Sequence, residues 1–304
     1  MTSPPRQALR LGTRGSPLAL VQASLVADLL RAAHGWPEEA VEIVPITTIG
    51  DVVQDRPLAE IGGKALWTKE LDRALRDGRT DLSVHSMKDV ETIRPGAFRI
   101  AAMPARADTR DRLIGAERLA ELRQGAVIGS SSPRRAAQLR ARRPDFEIVP
   151  IRGNVQTRLA KVARGEVDAS LLAAAGLDRL GIAAGAPLDD MLTAPSQGAI
   201  GVEILAERAD MLSLVAAIDH GPTSRCVWAE RAFLAALGGD CHSAAAALAT
   251  IEGEAVQLRA EILSADGAEV HAGALTLGGG ATPADLARDL LERASPALRA
   301  MFTA

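Results

Sequence analysis

The 304-residue sequence has no tyrosine, four phenylalanines and three tryptophans. Its cores must therefore come from Ala, Leu, Val and Ile, and an apolar content of 47% supplies them. The two cysteines, Cys226 and Cys241, cannot make a disulfide framework, and they fit a reducing cytosol. There is no run of about 18 apolar residues, so no membrane span is expected. The amino-terminal stretch MTSPPRQALRLGTRGSP lacks an apolar centre, so no signal peptide is expected and a cytoplasmic location is. No His, Cys or carboxylate spacing matches a zinc or iron site, so no metal is expected. A net charge of −3 and the shortage of stacking residues give no reason to expect a nucleic-acid partner. No long exposed apolar seam argues for more than a monomer. Ordinary Gly and Pro content argues against long disorder, and the length suggests two or three domains.

Charge is unevenly spread. Arg134, Arg135, Arg140, Arg142, Arg143, Arg152, Arg158, Lys161 and Arg164 crowd one stretch, opposed there only by Asp145 and Glu147. Such a block needs an anionic partner or wide separation in solvent.

The first two-thirds of the chain alternates strands and helices. Strands are expected at Ala8–Leu11, Val41–Thr48, Leu82–Met87 and Phe98–Met103, with helices from Pro17 and over Thr68–Asp77. The pattern repeats with strands at Ala126–Gly129, Glu147–Ile151 and Ala169–Ala173, and helices from Pro133, from Asn154 and from Leu177. This is βαβ grammar, which implies a parallel or mixed sheet. Two α/β lobes with a hinged cleft, as in periplasmic binding proteins, are expected. Met103–Arg112 would cross between them, and Pro195–Gly201 would return. From about Gly221 a helix, three strands with turns at Glu252-Gly253 and Asp266-Gly267, and a last helix read as a small α+β domain. The loop between Ile49 and Trp67 is unusually long, and Gly62-Gly63 beside Lys64 suggest a moving lid.

Chemistry concentrates at strand-to-helix turns. Thr13-Arg14-Gly15-Ser16, Ser130-Ser131-Ser132-Pro133-Arg134-Arg135, Arg152-Gly153-Asn154 with Arg158, and Gly176-Leu177-Asp178-Arg179 each look like a helix opening that carries Arg. Helix amino termini favour anions, and the planar Arg fork binds carboxylates bidentately. One such turn is most simply a capped helix with a solvated Arg; four of a kind argue for a ligand with several carboxylates. Arg140, Arg142 and Arg143 sit late in their helix and are read as structural, facing solvent. Lys88 and Asp89 end a strand, where a carboxylate among cations stays ionised and can stabilise a developing cation. His85 reads as a core histidine. Cys241, on the Gly-rich turn Leu237–Ser243, has the access that a covalent attachment site needs. Cys226 reads as a small core residue. A two-lobed anion receptor without catalysis remains a second reading of these features.

The segments Leu11–Ser24, Gly62–Leu71, Asp81–Val90, Ile128–Leu139, Ile151–Leu159, Ala174–Gly181, Pro195–Gly201 and Glu230–Leu234 before Cys241 resemble, in order and over nearly the whole chain, the porphobilinogen deaminase (hydroxymethylbilane synthase) family. The resemblance implies a transferase of tetrapyrrole biosynthesis. It would condense four porphobilinogen molecules head-to-tail, with loss of ammonia, and release hydroxymethylbilane by hydrolysis. The primer would be a dipyrromethane cofactor in thioether linkage to Cys241. Three domains are implied: residues 1–104 with 199–219, residues 105–198, and residues 220–304. Asp89 matches the catalytic carboxylate, which would stabilise the azafulvenium cation, with Lys88 beside it. Thr13, Arg14, Ser16, Gln22, Lys64, Ser131, Ser132, Arg134, Arg135, Arg152, Asn154, Arg158, Arg179 and Gln197 are the implied binders of cofactor and substrate carboxylates. The chain departs from the family's pattern in four places. Glu91-Thr92 follows the Lys-Asp-Val run where Pro is common, and Trp67 stands where Phe is frequent. Cys241 lacks the Pro usual shortly after it, and Ser196-Gln197-Gly198 replaces Gly-Gln-Gly.

Overall fold

The computed structural model describes residues 5, 7–48 and 68–302. Lys64 and Trp67, read above as parts of a lid, lie outside the described residues. Two compact units emerge. One combines Met1–Ala107 with Ala199–Ser224, and the other combines Asp108–Gly198 with Arg225–Ala304.

The first unit is a five-stranded mixed sheet in the order β2-β1-β3-β10-β4. Its strands are β1 (Leu9–Arg14), β2 (Val41–Ile46), β3 (Leu82–Ser86), β4 (Phe98–Ala102) and β10 (Ile200–Leu205). β1 runs parallel to β2 and β3, while β10 lies antiparallel between β3 and β4. Helix α1 (Pro17–His34) begins at Ser16, whose hydroxyl accepts from Ala19 N, with Pro17 at the first position. It stops at Gly35, whose left-handed conformation (φ 68°) lets its N–H reach Arg31 O. Ala19, Ala23, Val26, Ala27 and Leu30 form its buried face, recurring at helical spacing, and the small Ala side chains let the helix sit close on the sheet. Helix α2 (Lys69–Arg76) buries Leu71, Ala74 and Leu75.

The second unit repeats the plan. Its sheet has the order β7-β6-β8-β5-β9, from β5 (Asp111–Ile114), β6 (Val127–Gly129), β7 (Glu147–Val149), β8 (Ala169–Ala173) and β9 (Ala186–Leu188). Again one strand, β5, runs antiparallel to both its neighbours. Helices α3 (Pro133–Arg142), α4 (Val155–Ala163) and α5 (Ala174–Arg179) follow β6, β7 and β8. In both units the reversed strand comes from a segment that the sequence reading treats as a crossing or return. β5 falls in and beyond Met103–Arg112, and β10 starts within Pro195–Gly201.

The same unit holds the antiparallel sheet β11 (Ala245–Glu252), β12 (Ala255–Leu263) and β13 (Val270–Leu277). Most of α7 (Gly221–Ala236), α8 (Pro283–Arg293) and α9 (Pro296–Ala300) belong with it, while α6 (Ala209–Val215) belongs to the first unit. Gly253 and Gly267 take positive φ at the two hairpin turns, as Glu252-Gly253 and Asp266-Gly267 suggest. Ala245, Ala247 and Ala249 alternate along β11 into one cluster with Phe233, Leu258 and Leu290. The chain joins this sheet to the preceding lobe through buried polar groups. Glu230 accepts from Ser196 N at 2.6 Å and Ala249 N at 2.8 Å, and Ala247 N donates to Thr193 O at 3.1 Å.

Two expectations need correction. All four Phe, at 98, 146, 233 and 302, are buried, so the cores concentrate what aromatic material exists as well as using aliphatic side chains. Helix α5 starts at Ala174 rather than Leu177, because β8 runs straight into it without a side-chain cap. Arg179 therefore lies in the helix's last turn and does not open it.

Candidate functional site

In the first unit, the carboxyl ends of β1 and β3 and the start of α1 enclose a recess of about 450 Å³, counted to its open mouth. Arg14, Ser16, Gln22, Thr68, His85, Ser86 and Asp89 line it. Arg14 is the last residue of β1, and Ser16 caps the helix that follows. Thr13 is buried and donates to Ala19 O at 3.2 Å, so it shapes this turn. Gln22, also buried, exchanges hydrogen bonds with Ser86, Nε2 to Oγ at 2.9 Å and Oγ to Oε1 at 3.0 Å.

Lys88 and Asp89, both half-buried, lie in a short 3-10 turn, Met87–Asp89, at the end of β3. Met87 N donates to Ala199 O at 3.1 Å, and Val90 N to Met87 O at 3.3 Å. A side chain at Gly201 on β10 would collide with the Met87 sulfur, so glycine is what lets this turn pack down. The recess thus combines a helix amino terminus, an arginine and a carboxylate.

Behind it lies a buried polar network that the sequence reading missed. His85 Nε2 lies 3.0 Å from Glu203 Oε2, which agrees with the reading of His85 as a core residue. Glu203 is fully buried in the middle of β10 and also receives two bonds from Arg94. Burial pushes the Glu203 carboxyl up, but His85 and Arg94 together hold it below its ordinary value. The available signal was a lone acid inside the otherwise apolar run Ala199–Leu205.

In the second unit the turns form as read, but their contents differ. Ser132 caps α3 by accepting from Arg135 N at 3.4 Å, and Asn154 caps α4 by accepting from Thr157 N at 2.9 Å. Gly153 takes φ 106°, and Arg158 Nε donates back to Gly153 O at 3.0 Å. Arg152 stands half-buried beside it.

Arg134 and Arg135, which the sequence reading turns toward a ligand, are buried instead. Arg134 Nη2 reaches Asp111 Oδ2 at 2.8 Å, and Arg135 Nη2 reaches Asp111 Oδ1 at 2.6 Å. Gln197 is also buried and donates to the same carboxylate at 2.7 Å. The Ser131 hydroxyl bonds with both polar backbone groups of Ile151. The physical reason is β5. This strand, absent from the sequence reading, carries Asp111 beneath the first turn of α3. Burial pushes the Asp111 carboxyl up, and Arg135 and Arg134 outweigh that and hold it well below the usual range. Arg140, Arg142 and Arg143 do not simply face solvent. They donate to the carbonyls of Ala265, of Gln138 and Asp190, and of Leu119, and Arg143 also pairs with Asp145.

Arg179, like Arg140, bonds to a backbone carbonyl. It donates to Gly198 O at 2.8 Å, and among the described residues no carboxylate pairs with it. Burial alone pulls its pKa down to about 10. A desolvated guanidinium without a counterion fits a carboxylate ligand.

Cys241 is exposed at the end of the turn that follows α7, whereas Cys226 is buried in an apolar cluster. Gly238 has φ 71°, and a side chain there would strike the Phe302 carbonyl. Beyond it Asp240 N donates to Ser243 Oγ at 3.0 Å, Ser243 N to Asp240 O at 3.1 Å, and His242 N to Asp240 Oδ1 at 2.8 Å. These bonds hold the loop around Cys241 in the absence of a nearby proline. An exposed thiol on a braced turn, with the only other thiol buried, fits a group attached through sulfur.

Among the described residues, no cluster of His, Cys, Asp and Glu is arranged to hold a metal, and no helix is long and apolar enough to cross a membrane.

A family model described as porphobilinogen deaminase, dipyromethane cofactor binding domain, matches residues 9–213, and one described as porphobilinogen deaminase, C-terminal domain, matches residues 224–294. The porphobilinogen deaminase of Sphingopyxis alaskensis is 54% identical, covering 98% of each chain. That of Paracoccus denitrificans is 50% identical over 95% of this chain and 94% of its own. Among solved structures, an ancestral cationic amino acid solute binding protein is similar over 69% of this chain and 87% of its own, at 17% identity and a TM-score of 0.43. With a family model matching from β1 into α6 and a relative 54% identical over nearly its whole length, this chain belongs to the porphobilinogen deaminase family.

Proposed function

We propose that this chain carries out its family's reaction, the head-to-tail joining of four porphobilinogens with release of ammonia, with Asp89 as the catalytic carboxylate and Cys241 as the attachment point of the primer. The observation that carries this reading is the recess lined by Asp89, Arg14 and the Ser16-capped start of α1. Porphobilinogen brings two carboxylates and a pyrrole N–H. Arg14 and the helix terminus suit the carboxylates, and Asp89 suits the N–H. As ammonia departs, the substrate becomes cationic, and an ionised Asp89 beside it lowers the energy of that charge. Lys88, next to Asp89, adds a cation for the acidic side chains. The dipyrromethane, held through Cys241, supplies the free pyrrole carbon to which the first unit is joined.

Arg152, Arg158 and Arg179 are proposed to hold acetate and propionate groups, with Asn154 and Ser132 shaping the turns around them. The desolvated state of Arg179 is the strongest support for that role. Arg134, Arg135 and Gln197 act through the Asp111 cluster. Asp111 holds both guanidiniums at the first turn of α3, and the Glu261 carboxylate also acts on Arg134. We read the chain as a monomer working in the cytoplasm. Among the described residues, Leu25 and Leu29 share one face of α1, and the other exposed large apolar side chains, Ile93, Trp228, Val270 and Met301, fall on separate segments. Light scattering on the purified protein tests this.

The central test is Cys241→Ser. The unchanged chain should carry added mass equal to two pyrrole units and stain with acidic aldehyde reagent. The variant should show the bare polypeptide mass, no colour and no product. A fully loaded, active Cys241→Ser protein would end the attachment claim.

A further inference from the structure

The turn that carries Asp89 is secured on its entry side by the Met87–Ala199 hydrogen bond, but residues 90–97 beyond it form neither helix nor strand. On this exit side a buried guanidinium ties the chain down. Arg94 Nε donates to Glu203 Oε1 at 2.8 Å, and Nη2 donates to Glu203 Oε2 at 3.0 Å and to Asp72 Oδ1 at 2.6 Å. Nη1 donates to Glu91 Oε2 at 2.8 Å and to Thr68 Oγ1 at 3.4 Å. Thr68 in turn donates to Glu91 Oε1 at 2.8 Å. Every N–H direction of the fork is used, and its face lies 5.0 Å from the Phe98 ring centre.

Arg94 therefore connects β10 through Glu203, α2 through Asp72 and Thr68, and the segment leaving Asp89 through Glu91. Two of the residues it organises, Thr68 and His85, line the recess beside Asp89, His85 by way of the shared Glu203. Burial opposes the charge on Arg94, but Glu203 and Asp72 more than offset it and keep the guanidinium protonated. Burial raises the Asp72 carboxyl, and the nearby Glu203 and Glu91 add to this.

We propose that Glu91 and Arg94 are positioning residues for Asp89. Their ion pair fixes the chain immediately beyond the Met87–Asp89 turn to the rear wall of the recess, and this holds the Asp89 carboxylate where the substrate cation forms. The inference rests on the assignment of Asp89 as the catalytic carboxylate. Neither residue lines the recess itself; both act on its lining, through the backbone and through Thr68 and His85.

Arg94→Leu would strand fully buried Glu203 and endanger the fold, so Glu91 is the residue to change. Glu91→Gln keeps the shape and removes the charge. Glu91→Pro removes the ion pair but restrains the backbone by its ring, and Val90 (φ −87°, ψ 135°) already has the extended conformation that a following proline requires. The holoenzyme of each variant is assayed for kcat and KM with porphobilinogen, for cofactor loading by intact mass, and for thermal midpoint. Glu91→Gln is expected to lose about tenfold in kcat with KM changed by less than about twofold, because a displacement near 1 Å costs up to about a hundredfold. Loading and thermal midpoint should stay close to those of the unchanged chain, and Glu91→Pro should regain most of the lost kcat. A kcat for Glu91→Gln within about twofold of the unchanged chain, a loss that simply follows loading or thermal midpoint, or a Glu91→Pro protein no better than Glu91→Gln overturns the proposal. Asp89→Asn is run alongside. If it loses turnover while Glu91→Gln does not, positioning fails and the assignment of Asp89 stands. If Asp89→Asn is fully active, the assignment itself fails and takes the proposal with it.

Discussion

Replacing Asp111 with asparagine should expose how the second unit is held together. In the unchanged chain this carboxylate, 1% exposed, sits between the guanidiniums of Arg134 and Arg135 and accepts from Gln197. Asparagine preserves the shape and one acceptor but leaves two buried cations without their counterion. Removing one partner of a buried ion pair costs about 3–5 kcal/mol. At about 2–4 °C per kcal/mol for a unit of this size, the thermal midpoint should fall by roughly 6–20 °C. The sign of the pH dependence follows from the direction of the shift. The folded carboxyl is held below its unfolded value near 3.9, so its contribution is fully present above about pH 4 and is lost as pH falls further. The gap between Asp111→Asn and the unchanged chain should be widest at neutral pH and should narrow below about pH 4. Circular dichroism melts from pH 7 downward measure this. Adding Arg134→Met to Asp111→Asn removes one stranded charge and should recover part of the loss. A midpoint at pH 7 within about 2 °C of the unchanged chain, or a deficit that does not depend on pH, would refute the reasoning.

Arg179→Gln should weaken the hold on pyrrole carboxylates, seen as a raised KM or as stalled intermediates by mass. It should leave the thermal midpoint equal or higher, because a desolvated cation lacking a counterion costs stability at neutral pH. Gly201→Ala should push Met87 out of its seat and lower kcat through the Asp89 turn, with cofactor mass still present at Cys241. Ser132→Ala removes the cap of α3 and should cost about 1 kcal/mol in a denaturant melt.

Much of the local framework of the candidate site was legible because local chemistry announces it. Ser16, Ser132 and Asn154 cap the helices where the spacing of polar residues, Pro and apolar periodicity predicts. Asp89 lies in the turn that follows β3, and Cys241 lies exposed on its Gly-rich turn while Cys226 is buried. What the sequence could not show was which cations already have partners. Arg134 and Arg135 look like Arg14, and Arg179 looks like a helix opener. Their environments differ because Asp111, more than twenty residues away, lies beneath one pair, while β8 feeds α5 directly and leaves Arg179 in its last turn.

Local order needs only neighbours along the chain, so caps, turns and amphipathic faces were determined by the sequence itself. The two reversed strands were decided by tertiary structure. β5 and β10 carry charged residues and begin within stretches that look like crossings. They become central strands only because each finds partners on both sides, and the acid each brings, Asp111 or Glu203, is tolerated there because distant arginines neutralise it. Burying a charge is favourable only when its counterion arrives with it, and that pairing exists nowhere but in the folded chain.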